Sequence, residues 1–330
     1  MKLKGKKILI TGADGFIGSH LTESCIAKGA KVRAFVYYNS FGQWGWLDTL
    51  PGKMLDKAEV TSGDVRDFSC VLEAAKDVDI VFHLAALISI PYSYKAPESF
   101  VATNINGTLN ILQAARMQGV KKIVHTSTSE VYGSAQYVPI DEHHPINPQS
   151  PYAATKSAAD SLAISFYRSF DLPVTVLRPF NTFGPRQSAR AVVPTIISQI
   201  LAGRKTLALG NLETTRDLNF VGNTVDAFIR LAEAEEGLGE IFNTGSGVEV
   251  SIGEVAAMIQ NILGSHLKIE NDSKRIRPLK SEVERLVCSG EKLKQLTGWS
   301  PEISLKEGLR QTCLWIKKNI KSYKTEIYNV

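Results

Sequence analysis

The chain has 330 residues, room for one large or two ordinary domains, and its 44% hydrophobic and 22% charged residues make an ordinary globular balance. A formal net charge of +5 carried by scattered Lys and Arg residues excludes the basic blocks of a nucleic-acid binder, and no apolar run approaches the ~18 residues of a membrane span. Cys25, Cys70, Cys288 and Cys313 lie far apart, with no CxxC pair and no matched His spacing, so neither a disulfide framework nor a metal site is expected and the chain is assigned to the cytoplasm.

In chain order, the β-branched run at residues 7–11 (KILIT) predicts a strand, the Gly-rich stretch after it a turn, and the apolar spacing of 19–28 a helix. Strands follow at 31–36, 60–64, 79–84, 122–126 and 174–178, with helices at 69–75, 97–118 and 152–170 between them. Strand alternating with helix implies parallel pairing through right-handed crossovers, hence an α/β, Rossmann-type doubly wound parallel sheet whose ligands bind at the carboxyl ends of the strands. The rhythm changes after Pro179. Residues 1–179 are therefore read as a dinucleotide-binding domain and 180–330 as a smaller C-terminal substrate-binding domain, with the helical pattern at 217–234 packing back on the first.

Gly12-Ala-Asp-Gly15-Phe-Ile-Gly18 lies between a strand and a helix, where a pyrophosphate meets free backbone N–H groups and a helix N-terminus. Gly12 permits the tight turn, Gly15 lets the backbone approach the pyrophosphate, and Gly18 allows close helix-to-strand packing. The second strand ends at Val36-Tyr37-Tyr38, with neither the acid that would hold the ribose hydroxyls of NAD nor an Arg for the phosphate of NADP. NAD is the expected cofactor because no cation stands at that tip, and NADP stays open. Asp64 after the third strand reads as an adenine contact or a helix cap, and Leu84-Ala85-Ala86 ends the fourth strand with residues small enough for backbone to lie against a cofactor.

Tyr152 and Lys156 stand four residues apart on one face of a helix. A free phenol titrates near ~10, but a neighbouring ammonium and an oxidised nicotinamide both favour the phenolate, so the pair makes a general base beside a hydride acceptor.

Together Gly12-x-x-Gly15-x-x-Gly18, His83-Leu-Ala-Ala86, Asn104, Ser127-Thr-Ser-Glu-Val-Tyr-Gly133, Tyr152-x-x-x-Lys156 and Arg178-Pro-Phe-Asn-Thr-Phe-Gly-Pro185 resemble the extended short-chain dehydrogenase/reductase family over nearly the whole chain. The resemblance implies a nucleotide-sugar substrate, oxidised at C4 and later given back the hydride. It also adds Asp14, Phe16, Ile17, Val65, Asn104 and Thr126 to the cofactor contacts. After the fifth strand, epimerases of the family carry an uncharged set, whereas this chain has Thr128-Ser129-Glu130, similar to nucleotide-sugar 4,6-dehydratases and also to UDP-glucuronate decarboxylases. Once C4 is a ketone the C5 proton is acidic, and a carboxylate on that side can remove it while the C6 hydroxyl leaves as water. Glu130 is the expected base, Thr128 the partner of the C4 hydroxyl, and Ser129 stands where dTDP-glucose-type dehydratases carry an acidic Asp. A 4-epimerase, a UDP-glucuronate decarboxylase and a non-enzymatic dinucleotide-binding sensor are the competing readings, and the sensor has no need for Tyr152, Lys156 and Glu130 together.

On the substrate side the resemblance points to Asn181, Arg216 and Arg277 for the diphosphate, Glu282 near the nucleoside ribose, and Val193. Arg186 and Arg190 read as surface residues, as do His143 and His144. Residues 187–194 (QSARAVVP), the Trp44 and Trp46 loop, and Pro91-Tyr92-Ser-Tyr94 resemble dehydratases of the legionaminic acid branch, which act on UDP- or GDP-linked N-acetylglucosamine. Apolar residues spread around both long helices (Leu109, Leu112, Leu162, Phe166) predict a homodimer through a four-helix contact.

Overall fold

A computed structural model describes residues 1–275, 278–325 and 327, the side chains of Lys274 and Leu279 excepted. Strand β1 (Lys7–Thr11) pairs in parallel with β2 (Lys31–Tyr37) on one side and β4 (Ile80–His83) on the other; β3 (Ala58–Gly63) extends one edge, and β5 (Lys122–Thr126) and β6 (Val174–Pro179) extend the other. Ile241–Thr244 adds a seventh parallel strand beside β6. The chain therefore winds outward from β1 through β2 to β3, then returns past β1 to lay down β4. At that reversal the loops after β1 and β4 diverge and open a crevice at the carboxyl end of the sheet.

Both faces of the sheet are covered, which is why β4 and β6 are buried along their whole length. Helix α1 (Phe16–Ala27) and helix Val221–Glu233 pack together on one face. Helix α2 (Phe68–Ala74) covers the other face. With it lie the short α3 (Ile90–Ser93) and α4 (Pro97–Phe100), then α5 (Gly107–Met117) and α6 (Pro151–Phe170).

Helix α6 has a well-marked start and stop. The Ser150 side chain accepts from Ala153 N, Pro151 sits in the first turn, and Asp171 closes the end in the left-handed conformation at φ 52°. Tyr152, Lys156, Asp160 and Ala163 recur at helical spacing and are all buried, so one face of α6 carries its polar groups into the protein.

Two features depart from the sequence reading. The helix expected over 97–118 is interrupted: between α4 and α5 the segment Val101–Asn106 is a π-helical turn. The wider turn lets the buried Asn104 side chain clamp the backbone of Leu87, accepting from its N–H at 2.9 Å and donating to its carbonyl at 3.0 Å, so a polar demand overrides regular helix. Further, Ile241–Thr244 joins the main sheet although it lies well beyond residue 179. The rest of that half forms a three-stranded sheet centred on Thr215–Asp217, a two-stranded one (Thr206–Leu209 with Lys268–Asn271), and packed helices Val192–Leu201, Ile252–Leu263 and Leu305–Lys318. One apolar cluster runs from Ile8 and Val32 through Phe220 to Val255 and Leu309, so the two halves share a core.

Candidate functional site

The glycine loop is shaped by contacts that a side chain would destroy. Gly12 adopts φ +68°, and a Cβ on it would lie 2.9 Å from Ala85 Cα; a Cβ on Gly18 would lie 2.1 Å from the Gly12 carbonyl oxygen. Helix α1 starts at Gly15 with no side-chain cap, so its first N–H groups face the crevice. This open, uncapped helix end, walled by backbone, fits a dinucleotide pyrophosphate. Gly18→Ala should therefore push the loop and helix apart, costing about 1–3 kcal/mol and weakening NAD binding; an unchanged melting temperature with unchanged NAD titration would contradict this packing.

Behind the loop, Thr11 Oγ1 accepts from the N–H groups of Leu84 (3.1 Å) and Ala85 (3.2 Å), so its own proton goes to His83 Nδ1 at 2.8 Å. His83 Nε2 then carries the hydrogen and donates to Thr108 Oγ1 at 3.1 Å, which itself donates to the Asn104 carbonyl at 2.6 Å. Burial holds His83 well below the usual imidazole range, so this relay is neutral and fixes Leu84, Ala85 and Asn104 as one wall.

At the adenosine end, Asp14 turns back to β2, its carboxylate accepting from Tyr37 N at 3.4 Å; burial raises its pKa. Asp64 is gripped by Arg66 through Nε (3.0 and 2.9 Å) and Nη2 (2.5 Å), which holds its carboxyl below the usual range. A cation does stand near the tip of β2, contrary to the sequence reading, but Asp64 already engages it. The cap of α2 is Asp67, which accepts from Ser69 N and Cys70 N. Val65 is buried and its carbonyl accepts from Asn110. Phe16 and Ile17 are partly buried in the first turn of α1.

Trp46 is a buttress. Its N–H donates to the Asp14 carbonyl at 3.0 Å, and its ring lies edge-on to Trp315 at 5.4 Å and beside Tyr323 at 6.2 Å, tying the glycine loop to the C-terminal helix. Trp44 is exposed.

The chemistry gathers at the ends of β5 and β6. Lys156 Nζ donates to the Thr126 carbonyl at 2.6 Å, and burial brings its pKa down to about 8, opposed by the charge of Asp160. Thr126 Oγ1 is buried and has no hydrogen-bond partner among the described residues, one more polar atom on the cofactor side. Tyr152 packs edge-on against Phe100; burial pushes its phenol up, with Glu130 and Asp160 adding to the rise and the Thr128 hydroxyl and Arg190 opposing it. Thr128 Oγ1 also accepts from Glu130 N at 3.3 Å, starting the 3-10 turn Ser129–Tyr132. Ser129 is buried. Glu130 is only 9% exposed, and among the described residues its carboxylate has no hydrogen bond or ion pair.

Of the substrate residues, Arg216 and Glu282 are joined at 3.1 Å, and Asn181 keeps a buried Oδ1 without a partner among the described residues. Val193 has its side chain in the main core, and Arg277 lies outside the described residues.

Three surface assignments are corrected. Arg186 is 5% exposed and bonded to Glu23 at 2.8 Å, because the turn after Pro185 folds it under α1. His144 is 2% exposed, stacked on Tyr132 and Tyr137, and accepts from Gln136 N at 2.9 Å. Arg190 is half-buried, braced at Nε by Ser188 Oγ (3.1 Å), and its charge bears on Tyr152; among the described residues it has no acidic partner. No periodic or motif signal at these positions could have shown this, since a loop fold places them. Among the described residues no cluster of His, Cys, Asp or Glu could hold a metal, and no helix is long and apolar enough to cross a membrane.

The pattern of the family described as GDP-mannose 4,6 dehydratase matches residues 9–312. A UDP-glucose 4-epimerase from Mycolicibacterium smegmatis is 36% identical over 93% of this chain and 97% of its own. The dTDP-D-glucose 4,6-dehydratase of Homo sapiens is 30% identical over 97% of this chain and 92% of its own. The crystal structure of DesIV, a dTDP-glucose 4,6-dehydratase from Streptomyces venezuelae with NAD bound, superimposes with a TM-score of 0.85 at 28% identity, covering 96% of this chain and 99% of the other.

Proposed function

Because the chain belongs to the GDP-mannose 4,6 dehydratase family of NAD-dependent nucleotide-sugar enzymes, we propose that it is a nucleotide-sugar 4,6-dehydratase acting on a UDP- or GDP-linked N-acetylglucosamine. Bound NAD supplies hydride acceptance at C4 and hydride return at C6. The residues that would hold it are Gly12, Asp14, Gly15, Phe16, Ile17, Gly18, Asp64, Val65, Leu84, Ala85, Ala86, Asn104, Thr126 and Lys156. Tyr152 takes the C4 hydroxyl proton, oriented by Thr128; Glu130 takes the C5 proton; the C6 hydroxyl leaves as water, protonated by Glu130 once it carries that proton or by a water on Ser129; and C5 regains a proton from solvent water as the hydride returns to C6. Asn181, Arg216 and Glu282 serve the nucleoside diphosphate, whose oxygens suit a guanidinium fork.

The observation that carries this reading is Glu130: its carboxylate bears on the Tyr152 phenol and, among the described residues, makes no hydrogen bond or ion pair, so it is left available to take a proton. Incubation with UDP- and GDP-N-acetylglucosamine followed by mass measurement tests it. Loss of one water from either supports the reading, and unchanged mass with both sinks it.

One observation favours a second reading. The guanidinium of Arg190, free of acidic partners among the described residues and facing Tyr152, suits a sugar carboxylate, as a decarboxylase of a nucleotide-linked uronate would need. Loss of carbon dioxide from UDP-glucuronate would select it.

Helices α5 and α6 pack side by side and expose Met117 and Phe170, while Leu109 and Leu162 are only partly covered. A second copy laid across them completes a four-helix contact, so light scattering at micromolar concentration should give the mass of a dimer, and a monomer would rule the contact out.

A further inference from the structure

Six buried polar side chains beside the site take no part in the chemistry proposed above. Asp160 lies one helical turn beyond Lys156 on α6 and is 3% exposed. Its Oδ2 accepts from Ser127 Oγ at 2.7 Å and from Arg178 Nε at 3.0 Å, and its Oδ1 stands 3.5 Å from His125 Nε2. Arg178, on β6, sends Nη1 to the Tyr132 hydroxyl at 3.0 Å and lies over that ring at 4.9 Å. The Tyr132 hydroxyl donates onward to Asn243 Oδ1 at 2.8 Å, on the neighbouring strand. A buried ion pair is weak evidence for stability, since apolar packing would often do as well; holding groups in register is its better-attested use.

What this pair holds is specific. Ser127 and Tyr132 flank Thr128, Ser129 and Glu130, so one salt bridge grips both ends of the turn that carries the expected C5 base. The same carboxylate is the anion that bears on Lys156, whose buried ammonium otherwise bears on the rings of His83 and His125. We propose that Asp160 and Arg178 are the positioning pair of the catalytic centre, fixing the Thr128–Glu130 turn against α6 and keeping Lys156 charged. The first half of this inference rests on the reading of Glu130 as the base; the second does not.

Ser127→Ala and Tyr132→Phe each remove one grip and leave the ion pair in place. Both should lower kcat for water loss about 10- to 100-fold, the scale of a ~1 Å misplacement, with KM for the nucleotide sugar nearly unchanged. Amide exchange across residues 127–133 of the substrate-free protein should speed up in both. Asp160→Asn should move the alkaline limb of the pH–rate profile downward from about 8, whereas Asp160→Glu, which keeps the charge and shifts its position, should retain the limb while losing kcat. Should the Asn variant not fold, Asp160→Ser, which removes the charge and keeps a hydrogen-bonding oxygen, decides the charge arm by the same limb. Wild-type kcat and exchange in both Ser127→Ala and Tyr132→Phe would overturn the positioning role, and an unmoved limb in Asp160→Asn would overturn the counter-charge role. Failure of the reading of Glu130 as the base looks different: Glu130→Gln would lose water normally while the limb still followed Asp160.

Discussion

Tyr152→Phe is expected to abolish turnover at its first step, with no 4-keto sugar formed and no nicotinamide reduction on adding substrate. The phenol is buried, and burial with Glu130 and Asp160 nearby raises its pKa, so its proton is lost only when a cation compensates. The sequence points to Lys156 for that task. In the structure Lys156 is anchored on the Thr126 carbonyl, and the side-chain cation that bears on the phenol is Arg190. Removing the hydroxyl leaves no group to accept the C4 proton, a loss of about 10²- to 10⁴-fold for one positioned base. The pH profile carries a second sign. Burial brings Lys156 down from its ordinary value to about 8, so its ammonium is present below that pH and lost above it. Activity should fall as pH rises through this range. Full nicotinamide reduction by Tyr152→Phe in a single-turnover mixture would remove Tyr152 from the mechanism.

The parts of this site that follow local rules were legible in the sequence. The glycine spacing and the Tyr152 and Lys156 pair depend on neighbours within a turn or two, and periodicity reports such neighbours directly. What was not legible depends on contacts between distant segments. Asn104 forces a π-helical turn because it must reach Leu87, and Arg190 meets Tyr152 because the loop after Pro185 folds under the site. Trp46 stands in a Gly-rich loop with no periodic signal; its role appears only when Trp315 and Tyr323, from the far end of the chain, pack against it. Arg66 likewise reaches the tip of β2 from the loop after β3, a neighbour that sheet order supplies and local sequence does not.

Glu130→Gln separates the two halves of the proposed cycle. Tyr152, Lys156 and Thr128 are untouched, and Thr128 Oγ1 still receives the backbone N–H of residue 130, so the turn keeps its shape and C4 oxidation should run. An amide cannot take the C5 proton. Substrate should then form the 4-keto sugar and stall there, seen as reduced-nicotinamide absorbance that persists, with deuterium wash-in at C5 slowed by about 10²- to 10⁴-fold. Among the described residues the wild-type carboxylate makes no hydrogen bond or ion pair, so the amide breaks no protein contact and the variant should be about as stable as the parent. That combination, a protein no less stable with chemistry arrested after oxidation, is hard to obtain from a carboxylate that serves the fold. An epimerase would be indifferent to the change, because turning a 4-keto sugar over in the cleft requires no base at C5. Water loss at the wild-type rate in Glu130→Gln would leave the family assignment and dehydration standing and remove Glu130 as the C5 base.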